Sequence, residues 1–196
     1  MAKFYLIRHA MNDFVGKKLA GRMPGVHLNE EGRAQARLLA RKLAAAGIER
    51  VYSSPRERAL ETAEALSEAM GVKVETRPTL DEVESGDWTG KTFAELEADP
   101  RWQTYNRFRS GTRVPGGETM LETQGRVVTE ILNLYEAHPS ATIAILSHAD
   151  PIRAALVYFL GMPIDFFHRI EISPASFSVL TLEEWGPVIL AINSVA

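Results

Sequence analysis

Arginine and histidine side chains stand after three short apolar runs of this sequence. The runs are residues 4–7, 51–53 and 143–146, and the side chains that follow them are Arg8, His9, Arg56, Arg58 and His148. The carboxyl ends of parallel strands meet at one edge of a sheet, where open α/β sheets bind ligands. Two imidazoles and two guanidiniums, those of Arg8 and of either Arg56 or Arg58, repel one another unless an anion lies between them. The planar donors of arginine suit phosphate. The pattern therefore predicts a phosphate pocket.

A pocket of this composition also has the groups for catalysis. A helix that begins near Pro55 adds free backbone N–H groups and the positive end of its dipole. A neutral imidazole is a competent nucleophile towards phosphorus, and surrounding arginines stabilise the charge that develops. The chain has no cysteine, no metal-ligand cluster and no G-x-S-x-G motif. Histidine is therefore the best nucleophile available, and no metal is expected.

Strand and helix signals alternate along the chain around these positions. Strands are expected at residues 4–7, 48–53, 72–76 and 141–146, and helices at residues 30–46, 54–70, 118–137 and 151–160. Ser54 as N-cap, Pro55 in the first turn and Glu57 three residues after the cap predict the start of the second helix. Residues 77–117, rich in glycine and proline, are expected to be an irregular excursion with one or two short helices.

The expected architecture is an α/β fold, a three-layer α/β/α sandwich that forms one domain over residues 1–196. Strands separated by helices predict a mostly parallel sheet covered on both faces. Residues 176–182 and 188–192 predict a closing hairpin, which adds an antiparallel edge to the sheet.

Composition narrows the class of protein. The chain has 196 residues, of which 45% are hydrophobic and 24% charged, as is typical of a globular domain. The net charge of −3 argues against a general nucleic-acid binder, since no basic excess is present to hold phosphate backbones. No stretch approaches the roughly 18 apolar residues of a membrane helix, and the N-terminus does not resemble a signal peptide. A cytoplasmic protein without a membrane partner is expected.

Six segments of the chain resemble, in the same order, motifs of the histidine phosphatase superfamily, which includes the cofactor-dependent phosphoglycerate mutases. The segments are residues 6–10, 28–36, 54–63, 80–90, 115–118 and 147–153. Arg8-His9 is similar to the Arg-His-Gly signature of that family, and Ser147-His148 to its second histidine motif. The resemblance implies a phosphoglycerate mutase-like fold.

The resemblance also implies roles for individual residues. His9 would be the nucleophile that becomes phosphohistidine, Arg8 and Arg58 would clamp the phosphoryl oxygens, and His148 would be a further donor to them. Glu82 would protonate the leaving alkoxide and then activate the water that hydrolyses the intermediate. That role requires a raised pKa, which is expected from burial against Trp88.

Other positions depart from the family pattern or are candidate substrate contacts. Asn12 stands where the family usually has threonine, and its amide can still donate to phosphate. Ala10 replaces the glycine after the nucleophile, which restricts the backbone there, and Ala149-Asp150 replaces a glycine pair. Asp150 is expected either to weaken phosphate binding or to orient a base.

Four candidate substrate contacts lie outside the phosphate-binding set. Arg22, Arg107 and Arg113 are candidates for binding a second acidic group of the substrate, and Ala149 for a further contact. The other three histidines, His27, His138 and His168, are expected to be ordinary surface or core residues.

The expected function is hydrolysis of a small phosphomonoester by a phosphatase that needs neither metal nor cofactor. Phosphoglycerate mutase-type phosphoryl transfer is the second possibility, although mutases of the family tend to be longer. A non-catalytic phosphate-ester binding protein is the third, and Ala10 and Asp150 are its only support in the sequence. The expected partner is a small phosphorylated metabolite, and the protein is expected to be a monomer or a homodimer formed through the terminal strand.

Overall fold

One mixed sheet organises the chain, and the computed structural model describes residues 1–195. Its strands are β1 (Ala2–Arg8), β2 (Arg50–Ser53), β3 (Val74–Thr76), β4 (Thr142–Ser147), β5 (Phe177–Glu183) and β6 (Gly186–Ser194). The strand order is β3-β2-β4-β1-β5-β6. The first four strands run parallel, and β5 and β6 are antiparallel to their neighbours. The predicted mostly parallel sheet with an antiparallel edge is confirmed.

Helices cover both faces of this sheet. They are α1 (Glu30–Leu43), α2 (Glu57–Met70), α3 (Phe93–Glu97), α4 (Pro100–Arg107), α5 (Met120–Ala137) and α6 (Ala149–Phe159). Alternate strand residues face opposite sides, so along β4 Ile143 and Ile145 join one core cluster while Ala144 and Leu146 join the other. The first cluster includes residues of α5 and α6, and the second includes residues of α1 and α2. The predicted three layers are therefore present.

The start of α2 differs from the prediction. The helix begins at Glu57, and its N-cap is Arg56, whose side chain makes no capping bond. Ser54 was the predicted cap, but its Oγ lies 3.2 Å from Asp81 Oδ1 and 2.8 Å from His148 Nε2. The prediction of a Ser54 cap is wrong. The Ser54 hydroxyl accepts from Arg56 N over 3.3 Å, before the helix begins, and its other bonds lie within the cluster at the strand ends.

Two other helices also begin away from their predicted first residues. The α5 helix starts at Met120, after a capping box in which the Thr119 and Glu122 side chains bond reciprocally to backbone N–H groups. The α6 helix starts at Ala149, two residues before the proline expected to open it. Within residues 77–117, the structure has α3, α4 and two short 3-10 turns at residues 78–80 and 86–88. No helix within residues 1–195 is long and apolar enough to cross a membrane.

Candidate active site

The ends of three parallel strands bring the predicted residues to one edge of the sheet. Arg8 ends β1 opposite Ser147, which ends the neighbouring strand β4. His9 and His148 follow these two residues, and the centroids of their rings are 5.2 Å apart. Arg58 lies in the first turn of α2, after β2 on the other side of β4. Strand order alone therefore places both imidazoles and this guanidinium together.

A cavity of about 370 Å³ opens at this edge. Its wall includes five of the predicted catalytic and phosphate-binding residues, which are Arg8, His9, Asn12, Arg58 and Glu82. Aromatic side chains from residues 77–117 form an apolar part of the wall, and they include Trp88, Phe93, Trp102 and Tyr105. His148 is completely buried and is not part of the wall. The excursion of the chain thus covers the strand ends.

The two arginines at the strand ends carry donors that no protein group satisfies. Arg8 Nη1 donates to Ile172 O over 2.7 Å, and Arg58 Nη2 donates to Gly21 O over 2.7 Å. These bonds fix each guanidinium. Arg8 Nε and Arg58 Nη1 are buried without a hydrogen-bond partner within residues 1–195. Buried polar groups are normally bonded, so these donors indicate an anion site.

His9 is held as a neutral imidazole. Its Nδ1 lies 2.8 Å from Ala10 O, and because a carbonyl only accepts, Nδ1 carries the proton and Nε2 has the free lone pair. Burial lowers the pKa of His9 well below its ordinary value, and the charges of Arg58 and Arg8 lower it further. A neutral ring with an unprotonated Nε2 is the form that attacks phosphorus.

Glu82 is favoured in its protonated form, so its pKa is shifted in the direction opposite to that of His9. Burial raises its pKa from 4.5 to about 7, with a further contribution from the Asp150 carboxylate. Its Oε1 accepts from Val83 N over 2.9 Å, and its Oε2 lies 3.7 Å from His148 Nδ1. Trp88 was expected to bury this carboxyl, and it lines the same cavity, where it packs edge-on against other aromatic rings. The contribution of Asp150 was not anticipated from the sequence.

The segment that carries Glu82 is held by a clamp formed by Arg126 and Glu118. Arg126 Nη1 donates to Thr79 O and Asp81 O, each over 2.7 Å, and its Nη2 donates to Glu82 O over 3.0 Å. Glu118 Oε1 accepts from Arg126 Nε over 2.9 Å and so fixes the guanidinium. Sequence reasoning missed Arg126, although it singled out the segment that contains Glu118.

His148 is bonded on one side only. Its Nε2 lies 2.8 Å from Ser54 Oγ, while its buried Nδ1 has no hydrogen-bond partner within residues 1–195. Burial, followed by the charges of Arg58 and His9, lowers the pKa of His148 well below its ordinary value. Ser54 has one hydroxyl proton for two neighbouring acceptors, Asp81 Oδ1 at 3.2 Å and His148 Nε2 at 2.8 Å. When that proton goes to Nε2, the neutral ring carries its own proton on Nδ1, next to Glu82.

Two residues that depart from the family pattern fit their positions. Asn12 Oδ1 accepts from Phe14 N and Val15 N over 2.9 and 3.3 Å, which leaves its Nδ2 as the donor end at the cavity. Ala10 has no positive φ, the backbone conformation that favours glycine. Its N–H donates to Thr62 Oγ1 over 3.0 Å. Alanine therefore does not strain the backbone after His9.

The three arginines that were candidates for binding a second acidic group lie outside the cavity wall. Arg22 Nε donates to Glu82 O over 2.8 Å, and its Nη2 lies 3.0 Å from Glu118 Oε2. Arg107 and Arg113 are exposed, and neither they nor Arg22 line the cavity. Ala149, the fourth candidate, does line it.

Four basic side chains that sequence reasoning did not select as site residues lie in the wall instead: Lys18, Arg109, Arg153 and His168. His168 was expected to be an ordinary histidine, but it accepts a bond from Arg109 Nε over 3.2 Å. Partial loss of hydration and the neighbouring Arg109 lower the pKa of His168 to about 4. None of these residues directly follows a strand, and only Arg153 lies in a segment that the family resemblance covers, residues 147–153.

The remaining histidines have protein partners. His27 Nδ1 contacts Glu61 Oε1, and His138 Nε2 lies 3.2 Å from the Tyr52 hydroxyl. Within residues 1–195, no group of three or more His, Cys, Asp or Glu side chains is arranged to hold a metal ion.

The fold and the site together define an α/β protein with a cavity whose wall carries arginine and histidine side chains. Residues 4–195 match the histidine phosphatase superfamily (branch 1), and the chain belongs to this superfamily. Phosphoserine phosphatase 1 of Hydrogenobacter thermophilus is 31% identical over 203 residues, which cover 98% of this chain and 92% of that protein. These relationships support phosphatase activity.

Solved structures show the same fold. Bacillus stearothermophilus YhfR superposes with a TM-score of 0.93 at 24% identity, covering 100% of this chain and 98% of the other. A mutant phosphoserine phosphatase from Entamoeba histolytica, in complex with phosphoserine, has a TM-score of 0.86 at 26% identity. That comparison covers 99% of this chain and 98% of the other.

Proposed function

We propose that the protein is a phosphatase that hydrolyses a small phosphomonoester through a phosphohistidine on His9. The observation that carries the proposal is the pairing of a neutral His9 with unsatisfied donors on Arg8 and Arg58. Glu82, whose pKa is raised to about 7, lies in the wall of the same cavity as a proton source. The proposed nucleophile, the two arginines proposed to bind the phosphoryl group and the proposed acid therefore line one cavity.

The first half of the reaction forms the phosphoenzyme. His9 Nε2 attacks phosphorus, and the bond between phosphorus and the ester oxygen breaks as the P–N bond forms. Glu82 gives its proton to the leaving alkoxide and becomes a carboxylate. Arg8 and Arg58 bind the equatorial oxygens and stabilise the charge of the transition state. Asn12 Nδ2 is a further donor to these oxygens.

The second half returns the enzyme to its starting state. The Glu82 carboxylate takes a proton from a water molecule, whose oxygen attacks phosphorus as the P–N bond breaks. Inorganic phosphate leaves, and His9 Nε2 and Glu82 regain their initial protonation states. His148 is proposed as a further phosphate donor through Nδ1, the nitrogen without a protein partner.

The substrate is proposed to be small, since the cavity has a volume of about 370 Å³. Phosphoserine is a natural first compound to test, because two of the named relatives are phosphoserine phosphatases. The experiment measures inorganic phosphate released from a panel of metabolite phosphates in the presence of EDTA. His9→Ala is expected to abolish release, whereas the matched variant His27→Ala is expected to retain it.

The panel also includes 3-phosphoglycerate with catalytic 2,3-bisphosphoglycerate, so that isomerisation is measured beside hydrolysis. Isomerisation without net phosphate release would identify a mutase. Binding of phosphate esters without either reaction would identify a binding protein. Activity that disappears with EDTA and returns with a divalent metal would contradict a metal-independent reaction.

A further inference from the structure

The carbonyl group that anchors Arg8 belongs to a peptide unit whose N–H group is also bonded. Arg8 Nη1 donates to Ile172 O over 2.7 Å. On the opposite side of the same peptide plane, Ser173 N donates to Asn193 Oδ1 over 2.6 Å. Because a backbone N–H group only donates, the amide oxygen of Asn193 faces it, and Nδ2 then donates to Ser173 Oγ over 3.3 Å. One planar, rigid peptide group therefore connects Asn193 to Arg8.

Asn193 reaches Ser173 because the β6 strand is distorted at this residue. One residue of β5, Ser178, lies opposite two residues of β6, Ile192 and Asn193, and this extra residue makes a β-bulge. Asn193 has a φ of 55°, in the left-handed region that asparagine adopts more readily than most residues. Its N–H group donates to Ser178 Oγ over 3.1 Å, which fixes the bulge. The bulge therefore directs the Asn193 side chain at Ser173.

The segment that carries this peptide group is also bonded to the backbone at His9. Ser173 O accepts from Ser176 N over 3.1 Å, which closes a turn around Ala175. Ala175 has a φ of 54°, and its N–H group donates to His9 O over 3.2 Å. Ala175 and Asn193 are the two non-glycine residues with positive φ in the described chain. Backbone strain of this kind persists where neighbouring bonds fix it, and here those bonds lead to the proposed nucleophile and its neighbouring arginine.

Arg8 needs an anchor because carboxylates lie near it. Burial lowers the pKa of Arg8, and three nearby carboxylates oppose this shift, those of Glu82, Asp150 and Glu171. Within the residues that the structure describes, none of the three pairs with Arg8, and Asp150 and Glu171 contact Arg153 instead. The bond to the peptide carbonyl keeps the Arg8 guanidinium away from these carboxylates. Its buried Nε, which has no hydrogen-bond partner in the described chain, is therefore available to an oxyanion.

We infer that Asn193 is a positioning residue for phosphoryl binding, which holds the Arg8 guanidinium in place through the peptide group between Ile172 and Ser173. The inference rests on the proposed function and adds to it a residue of β6 that does not line the cavity. Asn193 touches no substrate and acts through Arg8. Hydrogen bonds in a chain polarise one another, so loss of the bond at the peptide N–H group also weakens the bond at its carbonyl group.

The test measures the affinity of the protein for inorganic phosphate by isothermal titration calorimetry. Asn193→Gly keeps a residue that adopts positive φ and removes only the side-chain bonds to Ser173. It is expected to weaken phosphate binding about tenfold, as loss of a well-placed charged hydrogen bond does, and to lower kcat/KM by about the same factor. Asn193→Asp keeps an acceptor for Ser173 N and the tolerance of positive φ, and it is expected to recover most of the affinity.

A double-mutant cycle tests whether Asn193 acts through Arg8. Arg8→Met is expected to weaken phosphate binding by itself, and adding Asn193→Gly to it should cause less than about a twofold further loss. Leu190→Thr is the matched control, because Leu190 is an exposed residue of β6 that does not line the cavity, and it is expected to keep the wild-type affinity. A lower melting temperature of Asn193→Gly with unchanged phosphate affinity would show a merely structural role and overturn the inference.

The remaining outcomes separate the two proposals. Unchanged phosphate affinity in Asn193→Gly, or an equal loss in the Arg8→Met background, would overturn the inference and leave the phosphatase proposal intact. Phosphate binding that depends on Asn193 as expected, in a protein that hydrolyses no ester, would refute the phosphatase proposal and support the role of Asn193. A wild-type protein that binds no phosphate would overturn both. If Asn193→Gly does not fold, Asn193→Ser, whose side chain is too short to reach Ser173 N, is measured in its place and the same outcomes decide.

Discussion

His9 and Glu82 lie in the same cavity wall, and burial favours the neutral form of each. For a histidine this lowers the pKa, and for a carboxyl group it raises the pKa, so the two shifts have opposite signs. At neutral pH the nucleophile is therefore unprotonated, and a large part of the acid retains its proton. One physical cause prepares both groups for their proposed roles.

The pH dependence of hydrolysis follows from these two shifts. For an unactivated ester, kcat/KM is predicted to fall about tenfold per pH unit above pH 7, since Glu82 must enter the reaction protonated and its pKa is about 7. His9 imposes no loss until well below pH 6.5, because its pKa is lowered. Asp150→Asn removes a charge that raises the pKa of Glu82, and so moves the alkaline limb to lower pH. If the loss of kcat/KM at alkaline pH is unchanged in both Asp150→Asn and Glu82→Gln, that loss arises from the titration of another group.

The same pKa shift predicts a stability effect. The folded-state pKa of Glu82 is above its ordinary value of 4.5, so between about pH 4.5 and 7 the folded state binds more protons than the unfolded state. This group's contribution to the free energy of unfolding therefore falls as pH rises through that window. Glu82→Gln should raise the free energy of unfolding at pH 8 by on the order of 2 kcal/mol, and by much less at pH 5.

Thermal unfolding at both pH values, monitored by circular dichroism, checks this effect. Glu64→Gln on the exposed face of α2 is the control and should show no such difference between the two pH values. A destabilised Glu82→Gln protein at pH 8 would mean that the ionised carboxylate stabilises the fold, contrary to the burial argument.

At the scale of elements, the segment between the 3-10 turns at residues 78–80 and 86–88 has no regular structure of its own to fix Glu82. The Arg126–Glu118 clamp supplies that rigidity, because Arg126 on α5 bonds the carbonyl groups of Thr79, Asp81 and Glu82. Glu82 O also accepts from Arg22 Nε over 2.8 Å. Arg22 and Arg126 therefore hold the backbone that carries the proposed acid.

Loosening this clamp should reduce turnover more than binding. Arg126→Met is predicted to lower kcat about 100-fold with a smaller change in KM, because a misplaced acid affects the reacting geometry. Arg126→Lys is predicted to recover part of kcat, and Arg37→Met on the exposed face of α1 to have no effect. Steady-state kinetics at several pH values checks the effect, because a positioning role also alters the alkaline limb. If Arg126→Met loses the same fraction of kcat with p-nitrophenyl phosphate, whose leaving group needs no proton, the loss indicates general unfolding instead.

The sequence predicted the elements that carry the site better than it predicted their contacts. Continuous apolar runs ending in polar residues marked β1, β2 and β4, and parallel pairing then required their ends to meet. The N-cap of α2 was predicted at the wrong residue, because a serine before a proline can be either a helix N-cap or a hydroxyl group of the active site. Only the bond between Ser54 and His148 distinguishes these two roles. Arg109 was missed because it lies in an irregular segment and is recognised only by the rings packed on it.

At the scale of the whole molecule, the strand order explains why the chemistry lies where it does. The β4 strand lies between β1 and β2, so residues separated by more than 80 positions in the sequence meet at one edge. The chain has a net charge of −3, yet four arginines line one cavity, namely Arg8, Arg58, Arg109 and Arg153. Concentrating positive charge in a concave, partly apolar space strengthens its attraction for small anions.

The central claim is that these converging strand ends make His9 a covalent carrier of the phosphoryl group. The direct measurement mixes the protein with ester labelled in its phosphate, quenches at alkaline pH within one turnover, and maps the label by mass spectrometry. The account predicts an alkali-stable, acid-labile phosphate on His9 that forms and decays at rates consistent with turnover, and that is absent from His9→Ala. Phosphate release at the full rate with no label on His9, or undiminished turnover by His9→Ala, would contradict it.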